Sequence, residues 1–191
     1  GLVGSEMCIR DRQYIKDSSA VPAGIAGIAI GITTKYGEED LYDTLVAAFK
    51  EAQLPNVKRT LLYSMRYTDE ATANKMLDLA LTDDITPANT LYMLVRVSRN
   101  LELKTALYKW LDKNLDALIA KMPDYHVSRM PEFVSTSCSA ENLDMAKAFY
   151  EPTKDKYEGM ARSFDIMLDE SNQCLRLKAT YQKDFNKFLA K

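Results

Sequence analysis

The segment KYGEEDLYDTLVAAF (residues 35–49) is followed by a second segment of the same pattern, RYTDEATANKMLDLA (residues 66–80). Each begins with a basic residue and Tyr, passes through a small turn residue and two acidic residues, and then places apolar residues at matching positions, such as Leu45 and Met76. A helix hairpin that repeats in this way cannot bury its apolar face alone and must stack on its neighbours. The repeat therefore predicts a fold built from similar helix hairpins.

The rest of the chain has the same helical periodicity. Apolar residues such as Leu107 and Leu111 recur three or four positions apart, and the lysines between them, Lys104 among these, are predicted to face water. Pro22 and Pro55 can open helices, while Thr86 and Ser139 are candidate N-caps. The predicted fold class is all-α, an α-solenoid or superhelix of short antiparallel hairpins (HEAT/armadillo-like), with an irregular helical bundle as the alternative. Helices are predicted near residues 22–36, 38–52, 55–67, 69–82, 86–99, 101–122, 125–138, 140–150, 153–180 and 182–190.

Composition limits the classes of partner. The 191 residues are 47% hydrophobic and 27% charged, which is typical of a globular domain, and the net charge of −2 supplies no field for nucleic acid or an anionic membrane. The most apolar stretch, residues 21–32, is too short for a membrane span, which needs about 20 residues. We expect a buried helix there, with Gly27 and Gly31 allowing a second helix to approach closely.

Few residues with catalytic or metal-binding chemistry are present. His126 is the only histidine, and the sequence contains no H-E-x-x-H, Cys-x-x-Cys, phosphate-binding glycine loop or G-x-S-x-G. We predict no catalytic residue and no metal ligand. The carboxylate pairs at residues 38–39 and 83–84 are interpreted as helix-start or turn residues. Cys138 and Cys174 are expected to be buried free thiols, and a disulfide between them stays open as the alternative.

The first twelve residues, GLVGSEMCIRDR, do not form a signal peptide, because polar residues interrupt their only short apolar run. They are similar to the translation of a transposase sequencing adapter. We therefore expect residues 1–12 to be an unstructured scar, residues 13–21 a linker and residues 22–191 the helical-repeat domain, with natural upstream sequence missing. A cytoplasmic and a periplasmic location both stay open.

Several ordered segments carry a resemblance to a known family. They are the hairpin at residues 35–49, the long segment RTLLYSMRYTDEATANKMLDLALTDDITPANTLYMLVRVSRN, LKTALYKWLDKNLDALIAKM, YHVSRMPEFVSTSCSAENLDMAKAFYE and the closing YEGMARSFDIMLDESNQCLRLKATYQKDFNKFL. From about Val21 onward the chain resembles the C-terminal helical domain of gluzincin-type zinc aminopeptidases, the group of puromycin-sensitive and endoplasmic-reticulum aminopeptidases. It departs from the family pattern at Trp110, Leu115 and Pro131.

The resemblance implies a fragment of a larger peptidase that removes N-terminal residues from peptides. The zinc and its ligands would lie in an upstream catalytic domain, the partner of this chain, and the helical domain would form the lid or wall of a chamber that admits peptide substrate. This chain would then bind no cofactor and would not be catalytic by itself. Arg99 and Arg129 are the candidate chamber-facing contacts to peptide, although exposed helix-end arginines are the alternative interpretation. A free-standing helical-repeat scaffold that binds a protein is the second hypothesis.

Overall fold

The computed structural model describes residues 9–10, 12–36, 41–65, 67 and 69–189. All regular secondary structure in these ranges is helical, so the all-α prediction is confirmed, and the succession of helices is consistent with a solenoid-like domain. The chain divides into two compact units, one ending at Thr72 and the other beginning at Ala73. No helix in the described ranges is long and apolar enough to cross a membrane.

The described part of the first unit contains helices α1 (Ala23–Tyr36), α2 (Leu41–Glu51) and α3 (Pro55–Ser64). Helix α3 packs against both α1 and α2. The core of this unit is made of fully buried side chains on all three helices, such as Ile30, Leu45 and Leu61. A Cβ atom on Gly27 would lie 3.0 Å from the Ser64 hydroxyl, so glycine allows the close approach of α1 to α3 that the sequence predicts.

The second unit contains the remaining helices. Helix α4 (Glu70–Leu81) crosses the boundary between the units, and α5 (Pro87–Ser98), α6 (Lys104–Lys121), α7 (Asp124–Ser128), α8 (Ala140–Tyr150) and α9 (Met160–Leu189) follow it. Short 3-10 turns lie at Leu101–Leu103 and Lys154–Lys156, and a π-helical turn lies at Pro131–Ser135. This turn contacts α5, α8 and α9, so it sits at the centre of the unit.

Two predicted helix caps are confirmed. The Thr86 hydroxyl accepts a hydrogen bond from the Asn89 N–H at 3.3 Å at the start of α5. The Ser139 hydroxyl accepts one from the Asn142 N–H at 3.4 Å at the start of α8. Each bond satisfies a backbone donor that has no partner within its own helix.

The helix predictions differ from the structure in two regions of the chain. The helix predicted over residues 125–138 ends at Ser128, because Pro131 lacks an N–H and its ring excludes a regular α-helix there, and the chain continues as the π-helical turn. The break predicted near residue 181 is also wrong. Helix α9 runs for 30 residues without interruption, and it contains no glycine or proline that could end it.

The two repeated segments bury matching positions. Tyr42, Leu45 and Phe49 on α2 are buried, and so are Ala73, Met76 and Ala80, which the alignment places opposite them on α4. In the segment predicted as a linker, residues 13–16 are helical and Tyr14 is buried. The predicted scar lies mostly outside the described residues, and the proposed domain boundaries stay predictions.

Candidate functional site

A cavity of about 590 Å³ opens in the second unit between the end of α5, the π-helical turn and α9. We call it the unit-2 pocket. Its lining combines a cation, two carboxylates, small polar groups and apolar side chains. The lining residues are Val95, Ser98, Arg99, Leu101, Glu132, Phe133, Thr136, Ser137, Cys138 and Glu170.

Arg99 is placed by the end of helix α5. Its backbone N–H donates to the carbonyls of Val95 and Val97, and the Ser98 hydroxyl donates to the Val95 carbonyl at 2.9 Å. These bonds fix the C-terminal turn of the helix. The Arg99 side chain itself is exposed, so the structure places this predicted residue in the pocket lining with its charge in water.

The π-helical turn supplies the opposite wall. The Glu132 N–H donates to the Ser163 hydroxyl at 3.3 Å, which fastens the turn to α9. The Thr136 hydroxyl donates to the Glu132 carbonyl at 2.8 Å, and its oxygen lies 3.4 Å from the Glu170 carboxylate. Two carboxylates from different elements, Glu132 and Glu170, therefore line the same pocket.

Arg129, the second predicted residue, does not line the pocket but binds residues that do. Its guanidinium forms an ion pair with Glu132, donates to the Tyr125 hydroxyl at 2.7 Å and lies 4.3 Å from the Phe133 ring centroid. The hydrogen bonds to Glu132 and Tyr125 raise the pKa of Arg129 above its ordinary value. The structure thus connects both arginines with one cavity, Arg99 directly and Arg129 through Glu132 and Phe133.

A buried polar network lies behind the π-helical turn. Lys104 is 1% exposed, and its ammonium donates to the Val134 carbonyl at 2.8 Å. Burial lowers the pKa of Lys104 to about 8. The Tyr108 hydroxyl donates to the Ser135 hydroxyl at 2.7 Å, which lies 3.4 Å from the Tyr150 hydroxyl.

The prediction that Lys104 faces water is therefore wrong. Lys104, Tyr108 and Leu111 follow one another by four and then three residues, so they lie on the same face of α6. That spacing was visible in the sequence and could have identified Lys104 as a core-facing lysine. What the sequence did not show is the carbonyl of Val134, 30 residues away, which stabilises the buried ammonium.

Cys138 and Cys174 form a disulfide with a Cα–Cα distance of 5.3 Å, which corrects the expectation of two free thiols. The bond joins the residue before the α8 cap to helix α9. The Ser137 N–H reinforces this junction by donating to the Ser171 hydroxyl at 3.1 Å. The pairing depends on how α9 packs against the π-helical turn, and a separation of 36 residues gave no sign of it.

The described part of the chain does not form a zinc site. Within the described ranges no group of three His, Cys, Asp or Glu side chains is placed to hold a metal ion. His126 is half-buried beside Tyr125, with a ring-centroid separation of 5.9 Å. Asp83 and Asp84 are exposed in the turn before α5, as predicted, whereas residues 38 and 39 lie outside the described residues.

The first unit carries a separate groove of about 890 Å³ between α1 and α3. Gly24, Gly27 and Gly31 form its floor on the α1 side, and Arg59 and Tyr63 stand on the α3 side. Ile28 on the same helix is 60% exposed. The prediction of a wholly buried helix over residues 21–32 is thus wrong for this face, because only residues such as Ala26, Ala29 and Ile30 reach the core.

The helices of the described ranges define the class of protein as an all-α, solenoid-like domain. A comparison with protein families then identifies it more closely. The profile of the ERAP1-like C-terminal domain matches residues 8–173, and the chain belongs to that family. It is a C-terminal domain of an aminopeptidase-type protein. No curated protein sequence matches the chain significantly.

Proposed function

We propose that this domain forms part of the wall of a peptide-binding chamber in a zinc metallo-aminopeptidase whose zinc lies in a separate catalytic domain. The observation that carries the proposal is the family match, which spans every residue of the unit-2 pocket. In the parent enzyme the metal would activate the water that attacks the peptide bond. This chain's own contribution would be to hold peptide.

The composition of the unit-2 pocket supports a peptide ligand. An extended peptide offers carbonyl acceptors, N–H donors and two oppositely charged ends, and it is held well by scattered polar groups around an apolar floor. The pocket has a guanidinium at Arg99, carboxylates at Glu132 and Glu170, and an aromatic ring at Phe133. The pocket lining thus contains both positively and negatively charged side chains.

The two arginines would act differently. Arg99 is exposed and would donate its planar set of N–H groups to a peptide carbonyl or carboxylate. Arg129 does not line the pocket and already binds Glu132 and Tyr125, so it would hold the pocket wall in place. Loss of Arg99 should therefore weaken peptide binding directly, whereas loss of Arg129 should weaken it through the loosening of Glu132.

Binding can be measured by fluorescence anisotropy with the full chain and a labelled peptide of about nine residues. We expect Arg99→Ala to weaken binding by roughly tenfold, the loss typical of a charged hydrogen bond. Arg162→Ala is the matched control, because Arg162 is an exposed arginine on α9 that does not line the pocket. Equal affinity of the Arg99→Ala and Arg162→Ala variants, or no peptide binding by the unmodified chain, would reject the proposal.

We further propose that the exposed face of α1 contacts upstream sequence of the parent polypeptide. Ile25 and Ile28 are 38% and 60% exposed beside the groove of the first unit, and such apolar residues favour a covering partner. A longer chain that includes upstream sequence of the same gene should then unfold at a higher temperature in calorimetry. An unchanged unfolding temperature would show that nothing upstream packs on this face.

A further inference from the structure

The Cys138–Cys174 disulfide lies at one edge of the unit-2 pocket. Cys138 is part of the pocket lining, and Cys174 lies on α9, one helical turn after the lining residue Glu170. Both cysteines are partly exposed rather than enclosed in the core. A disulfide that solvent reaches is open to exchange with an external thiol, whereas an enclosed one is protected. The bond therefore combines a place on a candidate ligand pocket with access for a reductant.

The disulfide also ends the row of attachments that fasten α9 to the rest of the second unit. Ser171 is the last buried residue of the helix, and Cys174 follows it by three residues. In the described residues after Cys174, the side-chain hydrogen bonds stay within the helix, such as the bond from the Thr180 hydroxyl to the Arg176 carbonyl at 2.9 Å. The covalent bond is therefore the last tie between α9 and the pocket wall.

The other end of the disulfide holds an irregular segment of the chain. Residues 136–139 connect the π-helical turn to α8 and form no helix or strand. The Ser137 N–H joins this segment to α9 by donating to the Ser171 hydroxyl at 3.1 Å. The Ser137 hydroxyl is buried and has no hydrogen-bond partner among the described residues, so the closed segment carries an uncompensated polar group. Hydration of that hydroxyl favours an open segment, and the disulfide opposes the opening.

We propose that this disulfide is a redox switch of the unit-2 pocket, which stays formed while the bond is oxidised and opens when an external dithiol reduces it. The inference rests on the proposed function, because it concerns the regulation of peptide binding at that pocket. In the oxidised chain, the bond holds residues 136–138 against α9. In the reduced chain, this segment separates from α9 near Glu170, so parts of two pocket walls leave their places.

The reduction is a thiol–disulfide exchange in two steps. A thiolate of the dithiol attacks the Sγ atom of Cys138, the bond to the Sγ atom of Cys174 breaks, and Cys174 leaves as a thiolate that takes up a proton. The second thiol of the reductant then attacks the mixed disulfide and releases Cys138, which is protonated in turn. Two electrons pass to the protein, which gains two thiols, and the dithiol becomes a disulfide. Oxidation by an external disulfide runs the exchange in reverse.

Hydrogen exchange with mass spectrometry tests the opening in the absence of peptide. All proteins carry Cys8→Ser, so that Cys138 and Cys174 are their only cysteines. At short labelling times, dithiothreitol should raise deuterium uptake in residues 136–138 and 170–174, while α5 stays protected. The variant Cys138→Ser with Cys174→Ser should show the high uptake with and without reductant. Unchanged uptake in both segments overturns the proposal, and so does an equal rise in α5, which would make the bond a support of the whole unit.

Fluorescence anisotropy with the same labelled peptide tests the effect on binding. Apparent affinity falls with the fraction of chains whose pocket is formed, so the reduced chain should bind peptide at least about tenfold more weakly than the oxidised chain. Oxidised glutathione should restore the affinity, and the double serine variant should bind weakly whether or not reductant is present. Equal affinity of the oxidised and reduced chains overturns the switch. If the oxidised chain binds no peptide, the proposed function fails, and the exchange of the peptide-free chain decides the opening separately.

Discussion

Lys104 illustrates how a single residue links the core of the second unit to the candidate site. Its ammonium is buried against the Val134 carbonyl, in the same turn that presents Glu132 and Phe133 to the unit-2 pocket. A buried ammonium is costly unless it is hydrogen-bonded, and one carbonyl compensates for only part of the lost hydration. Lys104 therefore holds the π-helical turn in place, and the same burial lowers its pKa.

The stability of the domain should consequently rise with pH. The folded-state pKa of Lys104 is about 8, against an ordinary lysine value of 10.5. The unfolded chain binds the Lys104 proton more tightly than the folded chain does. The destabilisation caused by the buried, charged ammonium is therefore fully present below pH 8 and declines as the pH rises toward 10.5. Urea unfolding should show a gain of about 1 to 2 kcal/mol between pH 7 and pH 9.5.

The control for this prediction is Lys104→Met, which removes the titrating group but keeps a long side chain. The free energy of unfolding of this variant should not show the rise with pH that we attribute to Lys104. Tyr108 and Tyr150, the titratable groups of the same network, have pKa values raised by burial and stay protonated in the folded state over this range. If the unmodified chain and the Lys104→Met variant show the same pH profile, Lys104 is not buried as a charged group.

At the scale of elements, α9 and the π-helical turn organise the second unit. The turn exists because Pro131 stops α7 from continuing, and the Ser163 hydroxyl and the Cys138–Cys174 disulfide then fasten this region to α9. The pocket wall thus consists of an irregular segment held by a regular helix. Such an arrangement positions side chains firmly without placing them on a regular element.

Removal of the disulfide should destabilise this junction. Closing a loop of 36 residues lowers the entropy of the unfolded chain, and the loss on removal is expected to be about 3 to 4 kcal/mol. Calorimetry of the variant Cys138→Ser with Cys174→Ser should show a lower unfolding temperature than the unmodified chain. A reducing agent should lower the unfolding temperature of the unmodified chain but not that of the double serine variant. An equal effect on both proteins would contradict the assignment of the disulfide bond.

At the scale of the whole molecule, periodicity predicted the all-α class, the hairpin repeat and most helix positions, because amphipathic spacing is a local property of the sequence. Caps at Thr86 and Ser139 were predictable for the same reason. The disulfide, the Val134 partner of Lys104 and the Thr136–Glu170 contact join residues about 30 or more positions apart. They follow from tertiary packing, so no local pattern could reveal them.

The candidate site was predictable to a smaller extent. Arg99 and Arg129 were predicted as chamber-facing contacts from the family resemblance, with helix-end arginines as the alternative. Arg99 lines the unit-2 pocket and Arg129 pairs with Glu132, and their contact with peptide stays a prediction. Glu132, Phe133 and Glu170 were not identified, since a carboxylate on a predicted helix is ordinarily a solvated residue. Only the approach of α9 to the π-helical turn brings Glu132 and Glu170 to one cavity.

We propose that this aminopeptidase-type C-terminal domain holds peptide in the unit-2 pocket without cleaving it. Hydrogen exchange of the full chain with an unlabelled peptide, followed by mass spectrometry of both, tests this proposal. We expect slower exchange around Arg99, in residues 131–138 and near Glu170, with the peptide recovered intact. Unchanged exchange in these segments, or chelator-sensitive loss of the peptide's N-terminal residue, would contradict it.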